Sequence, residues 1–166
     1  YGKPRKGGIY AIDIREGDEL IEAKITNGEN DIVLGTREGK SIRFPETDAR
    51  PTGRKTKGVI GIKLSKKDDY VVGMVVVRRE GTLLVATEKG FGKRTEVMQY
   101  RIQKRSGKGV LAMRTNKKVG KMVAIMEVVD TDDLMVITDT GVLIRQPVDS
   151  IRTIGRVTQG VKLIRL

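Results

Sequence analysis

The sequence predicts an all-β, propeller-like fold, and three observations carry that prediction. Two sets of glycines recur at a period of about 51 residues. Each period holds short segments rich in Val, Ile and Leu, which turn-forming residues separate. No segment sustains the 3.6-residue apolar spacing of a helix. Four short strands repeated at about fifty residues are typical of propeller blades, so we predict about three four-stranded blades.

The first set of glycines lies in four similar segments of the chain. They are PRKGGIYAI (4–12), RKTKGVIGI (54–62), RSGKGVLAM (105–113) and RVTQGVKLI (156–164), with Gly8, Gly58, Gly109 and Gly160 separated by 50, 51 and 51 residues. These glycines define three repeats, approximately 8–58, 58–109 and 109–160, within a single fragment that spans residues 1–166.

A second set of glycines confirms the register of the repeat. Gly39, Gly90 and Gly141 are separated by 51 and 51 residues, and Thr and Arg recur in step around them. Their surroundings suit tight hairpins with glycine at positive φ. GTREGKS (35–41) resembles a phosphate-binding loop, but three residues separate its glycines instead of four and a strand follows. We therefore interpret this segment as a hairpin turn.

The second repeat shows how the strands are expected to follow one another. We predict strands at 58–64, 71–77, 82–87 and 91–97, which together form one blade. The third strand is almost wholly apolar in every copy, which predicts burial on both faces: IVLG (32–35), LLVA (83–86) and LMVI (134–137). The chain starts and stops at the same phase of the repeat, as expected if blades exchange strands or if this piece was cut from a longer array. A closed propeller needs at least four blades and only three full periods are present, so we expect an incomplete ring.

The composition excludes several classes of function. The chain has no cysteine, histidine or tryptophan, which removes disulfides, thiolate metal sites and catalysis by imidazole. Its longest apolar run is too short to span a membrane, so no membrane partner is expected. Tyr100 corresponds to Ala49 and Ile151 in the other repeats, which favours a packing position over a nucleophile. We predict no catalytic residue, no metal site and no cofactor in this fragment.

The positive charge is concentrated in four stretches that lead into the first set of glycines. The chain carries 33 basic and 21 acidic residues, a net charge of +12. We call residues 1–8, 50–58, 101–109 and 152–160 basic loops 1 to 4. They hold 13 basic and no acidic residues, which leaves 20 basic and 21 acidic residues elsewhere. We predict that these 13 residues bind a polyanionic partner: Lys3, Arg5, Lys6, Arg50, Arg54, Lys55, Lys57, Arg101, Lys104, Arg105, Lys108, Arg152 and Arg156.

Equivalent loops of successive blades lie on one edge of the array, so these charges form a curved row. Such a row fits double-stranded DNA bent along the rim, with Lys and Arg neutralising phosphates. Glycines and small hydroxyl residues let backbone N–H groups approach phosphate oxygens. No recognition helix is predicted, and aromatic residues are only 4% of the chain, which disfavours base readout and single-strand binding. We therefore expect binding and bending of DNA without sequence specificity.

Four stretches resemble a known family, the C-terminal DNA-wrapping domain of the bacterial DNA gyrase A protein. They are GDELIEAKITNGENDIVLGTREGKSIRF, EKGFGKRTEVMQY, LMVITDTGVLIRQPVDSI and GRVTQGVKLIR. The resemblance implies a six-bladed β-pinwheel, in which blades exchange strands and DNA wraps around a basic rim. This chain would be its C-terminal half, about three blades.

The resemblance also implies a setting for the fragment. The parent protein would be an ATP-hydrolysing DNA topoisomerase that introduces negative supercoils, with the gyrase B protein and the rest of the gyrase A protein as partners. ATP and Mg²⁺ would be used elsewhere in that holoenzyme, and its location would be cytoplasmic and nucleoid-associated in a bacterium.

Basic loop 3 is similar to the family's gyrase A box, Gln-Arg/Lys-Arg-Gly-Gly-Arg/Lys-Gly. The matching residues are Gln103, Lys104, Arg105, Gly107, Lys108 and Gly109, while Ser106 replaces one glycine. By register the stretch lies between later blades, so we interpret it as a repeat-equivalent copy of the box.

Two alternatives stay open at this point. The chain also resembles the C-terminal domain of the topoisomerase IV C protein, whose pinwheel is similar. From a different class, the rim of a propeller-like scaffold would bind acidic protein partners. In either case the fragment can self-associate through open blade edges.

Overall fold

The computed structural model describes residue 3 and residues 5–165 as an all-β chain. Over these residues its strands are β1 (Asp31–Thr36), β2 (Lys40–Pro45), β3 (Val71–Val77), β4 (Thr82–Thr87), β5 (Phe91–Glu96), β6 (Val110–Leu111), β7 (Met122–Val128), β8 (Asp133–Ile137), β9 (Leu143–Pro147) and β10 (Val161–Lys162). Short 3₁₀ turns follow the hairpins at Glu46–Asp48, Val97–Gln99 and Val148–Ser150. In this part of the chain, no helix has the length and apolar character needed to cross a membrane.

The strands form two four-stranded blades and one separate hairpin. The strand order is β3-β1-β2-β6 in blade 1 and β10-β5-β4-β7 in blade 2, while β8 pairs with β9 alone. All of these strand pairings are antiparallel. Each blade therefore combines a hairpin with one strand from each of the two following repeats. This arrangement confirms the all-β, blade-like fold and the exchange of strands between blades.

The predicted composition of a single blade is wrong in two respects. Segment 71–77 does not pair with its neighbour in sequence, β4, but with β1 of the preceding repeat, where Val75 faces Val33. Segment 58–64 forms no strand and contributes one isolated bridge, between Ile62 and Gly107. The apolar pattern predicted a strand at 71–77, but two hairpins of the same pattern are equally suitable partners. The sequence pattern alone does not distinguish them.

The hydrophobic core lies where blade 1 meets blade 2. Val33 and Val75 of blade 1 pack with Leu83 and Val85 of blade 2, and all four side chains are buried. The blades approach so closely that a Cβ added at Gly35 would lie 2.8 Å from side-chain atoms of blade 2. Burial of this core is the main favourable term holding the two blades together.

The prediction that the third strand is buried on both faces is confirmed in blade 2 but not in the last hairpin. Leu83, Leu84 and Val85 are at most 1% exposed. In β8, Met135 and Ile137 are 58% and 65% exposed. Among the described residues β8 and β9 pair only with each other, so no neighbouring strand covers these side chains.

The blades have two distinguishable ends. The turn end carries the hairpin turns, where Gly39, Gly90 and Gly141 have φ of +82°, +72° and +84°, as the sequence predicted. The open end carries the starts of β1, β4 and β8 and the three 3₁₀ turns. Described residues 5–30 form no strand and are largely exposed.

Candidate nucleic-acid interface

Basic loops 3 and 4 run along equivalent edges of successive blades. In loop 3 the Gln103 N–H donates to the Arg43 carbonyl at 2.8 Å, and the chain then enters β6, which pairs with β2. In loop 4 the Ile154 N–H donates to the Arg94 carbonyl at 2.9 Å, and the chain enters β10, which pairs with β5. The two loops therefore start at the open end, follow the blade edge and reach the turn end. This is the repeated edge placement that the charge pattern predicted.

Glycine is required where loops 3 and 4 join their short strands. Gly109 and Gly160 have φ of +68° and +75°, a region that L-residues rarely adopt. A Cβ at Gly109 would overlap the Ser41 carbonyl, and one at Gly160 would overlap the Gly92 carbonyl. The equivalent Gly58 has φ of +71° but open space around it. The repeated glycine thus has a conformational role in each of these loops and a packing role in the last two.

A second position in the loops also has left-handed backbone. Lys55 and Ser106, one repeat apart, have φ of +58° and +68°. The box of the similar family places glycine at the position of Ser106, and this backbone explains why glycine suits it. Of basic loop 1, residues 1, 2 and 4 lie outside the described residues.

Most of the predicted DNA-binding side chains are free to meet an external anion. Among residues 3 and 5–165, none of the 13 forms a salt bridge with a carboxylate. By contrast, carboxylates elsewhere neutralise nearby cations, as Glu38 does with Lys66 and Lys121. Eleven of the 13 residues are exposed: Lys3, Arg5, Lys6, Arg50, Arg54, Lys55, Lys57, Arg101, Lys104, Lys108 and Arg152.

The other two predicted residues, Arg105 and Arg156, are half-buried and donate hydrogen bonds to backbone carbonyls of the protein. The Arg105 guanidinium donates to the Asp48 carbonyl at 3.1 Å and to the Ile60 carbonyl. Arg156, one repeat later, donates to the Leu111 carbonyl at 2.8 Å. Part of their hydrogen-bonding capacity is therefore used within the protein, and their loops depend on them for shape.

Two largely buried arginines connect the first two hairpins to basic loops 3 and 4, each of which begins one repeat beyond the basic loop that follows its hairpin in sequence. Arg43 donates to Asp31 at 2.8 Å and to the Tyr100 carbonyl at 3.3 Å, at the end of a 3₁₀ turn. Arg94, one repeat later, donates to the Ile151 carbonyl at 2.8 Å and pairs with Asp130. Each arginine thus fixes the point where a basic loop leaves the open end. The sequence revealed their recurrence but not this role.

Tyr100 occupies a packing position, as its repeat equivalents predicted. The residue is 1% exposed and belongs to the main core. Burial raises the pKa of its phenol to about 12, so the side chain stays neutral in the physiological range.

A buried lysine holds basic loop 4 against blade 2, and sequence reasoning missed it. Lys93 is fully buried, and its ammonium donates to the Gly155 carbonyl at 2.8 Å and to the Arg156 carbonyl. Burial lowers the pKa of this amine to about 8, with a smaller effect from Arg156. The available signal was a lysine at a position that Ile42 and Ile144 occupy in the other repeats.

The arrangement is suited to binding anions. Exposed Lys and Arg side chains along a blade edge, with nearby backbone N–H groups, match phosphate groups spaced along a polymer. Within the described part of the chain, no three acidic side chains gather as a metal ion would need.

A family model described as "DNA gyrase C-terminal domain, beta-propeller" matches three segments of the chain. The matched residues are 30–78, 81–128 and 132–166, so the match covers well over half of the sequence. The three segments correspond in order to the three hairpins.

Curated proteins similar to the chain are DNA gyrase A proteins. The chain is 46% identical over 165 residues to the DNA gyrase A protein of Buchnera aphidicola. It is 44% identical over 168 residues to that of Staphylococcus aureus and 42% identical over 165 residues to that of Escherichia coli. These alignments cover 99 to 100% of the chain but 19% of each relative, so the chain spans about a fifth of their length.

Two solved structures share the fold. A DNA gyrase A C-terminal domain superposes with a TM-score of 0.89 at 26% identity, covering 97% of this chain and 55% of the other. The C-terminal domain of DNA topoisomerase IV superposes with a TM-score of 0.92 at 23% identity, covering 99% and 52%.

Proposed function

Because this chain belongs to the C-terminal domain family of the DNA gyrase A protein, we propose that it binds double-stranded DNA through the phosphate backbone and bends it along the blade edges. The observation that carries this proposal is the set of 13 loop cations, none of which has a carboxylate partner among the described residues. Such charges bind a polyanion by releasing its condensed counterions, whatever the base sequence.

Bending follows from where the loops lie. Loops 3 and 4 occupy equivalent edges of two blades that pack against each other, so a duplex contacting both must follow the curve of the array. Contacts to the backbone without base readout repay the cost of this deformation.

In the parent protein we propose that this module serves a type IIA topoisomerase. The chain would wrap DNA so that the holoenzyme, with the gyrase B protein and the rest of the gyrase A protein, introduces negative supercoils. It would do no chemistry of its own, while ATP and Mg²⁺ are used elsewhere in a cytoplasmic, nucleoid-associated enzyme. The identities of 42 to 46% to gyrase A proteins favour gyrase over the topoisomerase IV C protein.

Binding of a short duplex across a salt series tests the proposal. The logarithm of the binding constant should fall linearly with the logarithm of salt concentration, by about 0.9 per phosphate contacted. Neutralising two exposed lysines of loop 3 (K104Q/K108Q) should reduce that slope by about 2. Arg105 is left intact because its internal hydrogen bonds support the loop.

A matched control removes the same charge from the open end. Arg78 and Arg145 are exposed and lie outside the basic loops, so R78Q/R145Q should leave the slope unchanged. Absence of duplex binding by the unmodified chain at low salt would overturn the proposal and would favour a scaffold for acidic proteins.

A further inference from the structure

Charges outside the basic loops are divided unequally between the two ends of the blades. Among the described residues, the turn end carries ten basic residues: Arg37, Lys40, Lys63, Lys66, Lys67, Lys89, Arg114, Lys117, Lys118 and Lys121. It carries five acidic residues: Glu38, Asp68, Asp69, Glu88 and Asp139. Segment 13–19, equivalent to 64–70, adds four acidic residues and Arg15, so the positive excess of the turn end lies in its later repeats.

The open end has the opposite balance. Its acidic residues number eleven: Glu29, Asp31, Glu46, Asp48, Glu80, Glu96, Glu127, Asp130, Asp132, Asp133 and Asp149. Its basic residues outside the loops number five: Arg43, Arg78, Arg79, Arg94 and Arg145. Four of these five arginines form salt bridges there, so outside the basic loops the open end carries net negative charge.

The most basic part of the turn end is segment 114–121, which contains no acidic residue. The segment lies between the hairpin turns of the two blades. On one side the Thr115 hydroxyl donates to the Glu38 carbonyl at 3.2 Å. On the other side the Lys121 N–H donates to the Glu88 carboxylate at 3.0 Å. These bonds fix the segment across the turn end, on a rigid part of the fold.

The free cations of this segment are continuous with basic loop 4. The Arg114 N–H donates to the Thr158 carbonyl at 2.9 Å, which joins the segment directly to that loop. Lys117 and Lys118 follow, and both are exposed and outside the salt bridges of the described residues. A duplex held by loop 4 thus meets further positive charge towards the turn end and negative charge towards the open end.

The equivalent segments of the other repeats are less suited to bind phosphate. In 63–70, Lys66 is paired with Glu38, and two aspartates follow. In 13–19 the segment is acidic overall. The feature therefore belongs to segment 114–118 and is not a general property of the repeat.

We infer that segment 114–118 is an additional DNA-backbone contact, which displaces the bound duplex from the middle of the blade edge towards the turn end. This inference rests on the proposed function and adds a site to it. The duplex backbone is the ligand, recognised as a row of phosphates by Arg114, Lys117 and Lys118.

The first test measures the salt dependence of duplex binding with two variants of equal charge. K117Q/K118Q should reduce the slope by about 2, whereas R78Q/R145Q, which removes two charges from the open end, should not. A slope for K117Q/K118Q equal to that of the control would overturn the inference. The proposed function would still stand in that case, provided that the unmodified chain binds the duplex and that K104Q/K108Q lowers the slope.

The second test reports the position of the duplex directly. Because the chain has no cysteine, Lys118→Cys and Glu96→Cys each create one thiol, to which an iron–EDTA cleavage reagent can be attached. Both positions are exposed, at the turn end and the open end. The inference expects strand cleavage of bound duplex from position 118 and at least several-fold less from position 96. Equal cleavage from both positions, or stronger cleavage from 96, would contradict it.

Discussion

Replacing Gly109 by alanine should destabilise the protein much more than the same change at Gly58. Both residues have left-handed backbone, with φ of +68° and +71°, so the added Cβ costs about 1 to 2 kcal/mol at either site. At Gly109 it would also overlap the Ser41 carbonyl oxygen, lie 2.9 Å from the carbonyl carbon and lie 3.3 Å from the Ile62 side chain. At Gly58 nothing lies within 4 Å. Forcing an atom into a packed site costs about 1 to 3 kcal/mol more.

Urea unfolding of the two variants measures this difference. We expect a loss in the free energy of unfolding of about 2 to 5 kcal/mol for G109A and about 1 to 2 kcal/mol for G58A. Gly160, whose added Cβ would overlap the Gly92 carbonyl, should behave like Gly109. Equal losses for G109A and G58A would refute the view that the close approach of β6 to β2 requires glycine at position 109.

Two further predictions concern buried charges. Arg94→Met should lower the free energy of unfolding by about 1 to 3 kcal/mol, because the buried Ile151 carbonyl loses its donor, while Asp130 stays exposed to water. Arg145→Met removes an exposed side chain and should cost clearly less. Thermal or urea unfolding of the pair checks this, and similar losses would contradict it. The second concerns Lys93, whose folded pKa of about 8 lies below the ordinary value of 10.5. Between these two values the unfolded chain binds more protons than the folded chain. The free energy of unfolding should therefore rise with pH in this range, by up to about 1.4 kcal/mol per pH unit relative to K93I. Unfolding curves of both proteins from pH 7 to 10 measure this, and a difference that is flat or falls with pH would refute the assignment.

The repeat period accounts for what could be predicted about the fold. Gly39, Gly90 and Gly141 located the hairpin turns because a tight turn needs a positive φ that glycine adopts without strain. The partner of each strand could not be predicted in the same way. Val75 is apolar whether it packs beside β4 or β1, so the sequence pattern fits both partners, and the structure pairs it with β1.

The candidate site, like the fold, could be predicted from the sequence only in part. Charge counting located the basic loops, since no acidic residue interrupts them. It could not separate the exposed Lys108 from Arg105, whose guanidinium bonds to two carbonyls, because both are simply cations in the sequence. Nor could it reveal Lys93, whose importance depends on carbonyl groups more than sixty residues away.

The exchange of strands has a consequence for how such arrays can change in length. Blade 1 draws β1, β3 and β6 from three successive repeats, so no single repeat of about 51 residues contains a complete blade. Duplicating one whole repeat in the gene would still give every strand an equivalent partner, since each interface recurs one period along the chain. A partial duplication would shift the register and leave edges without partners. A change of length by whole repeats is therefore the change that keeps every strand paired.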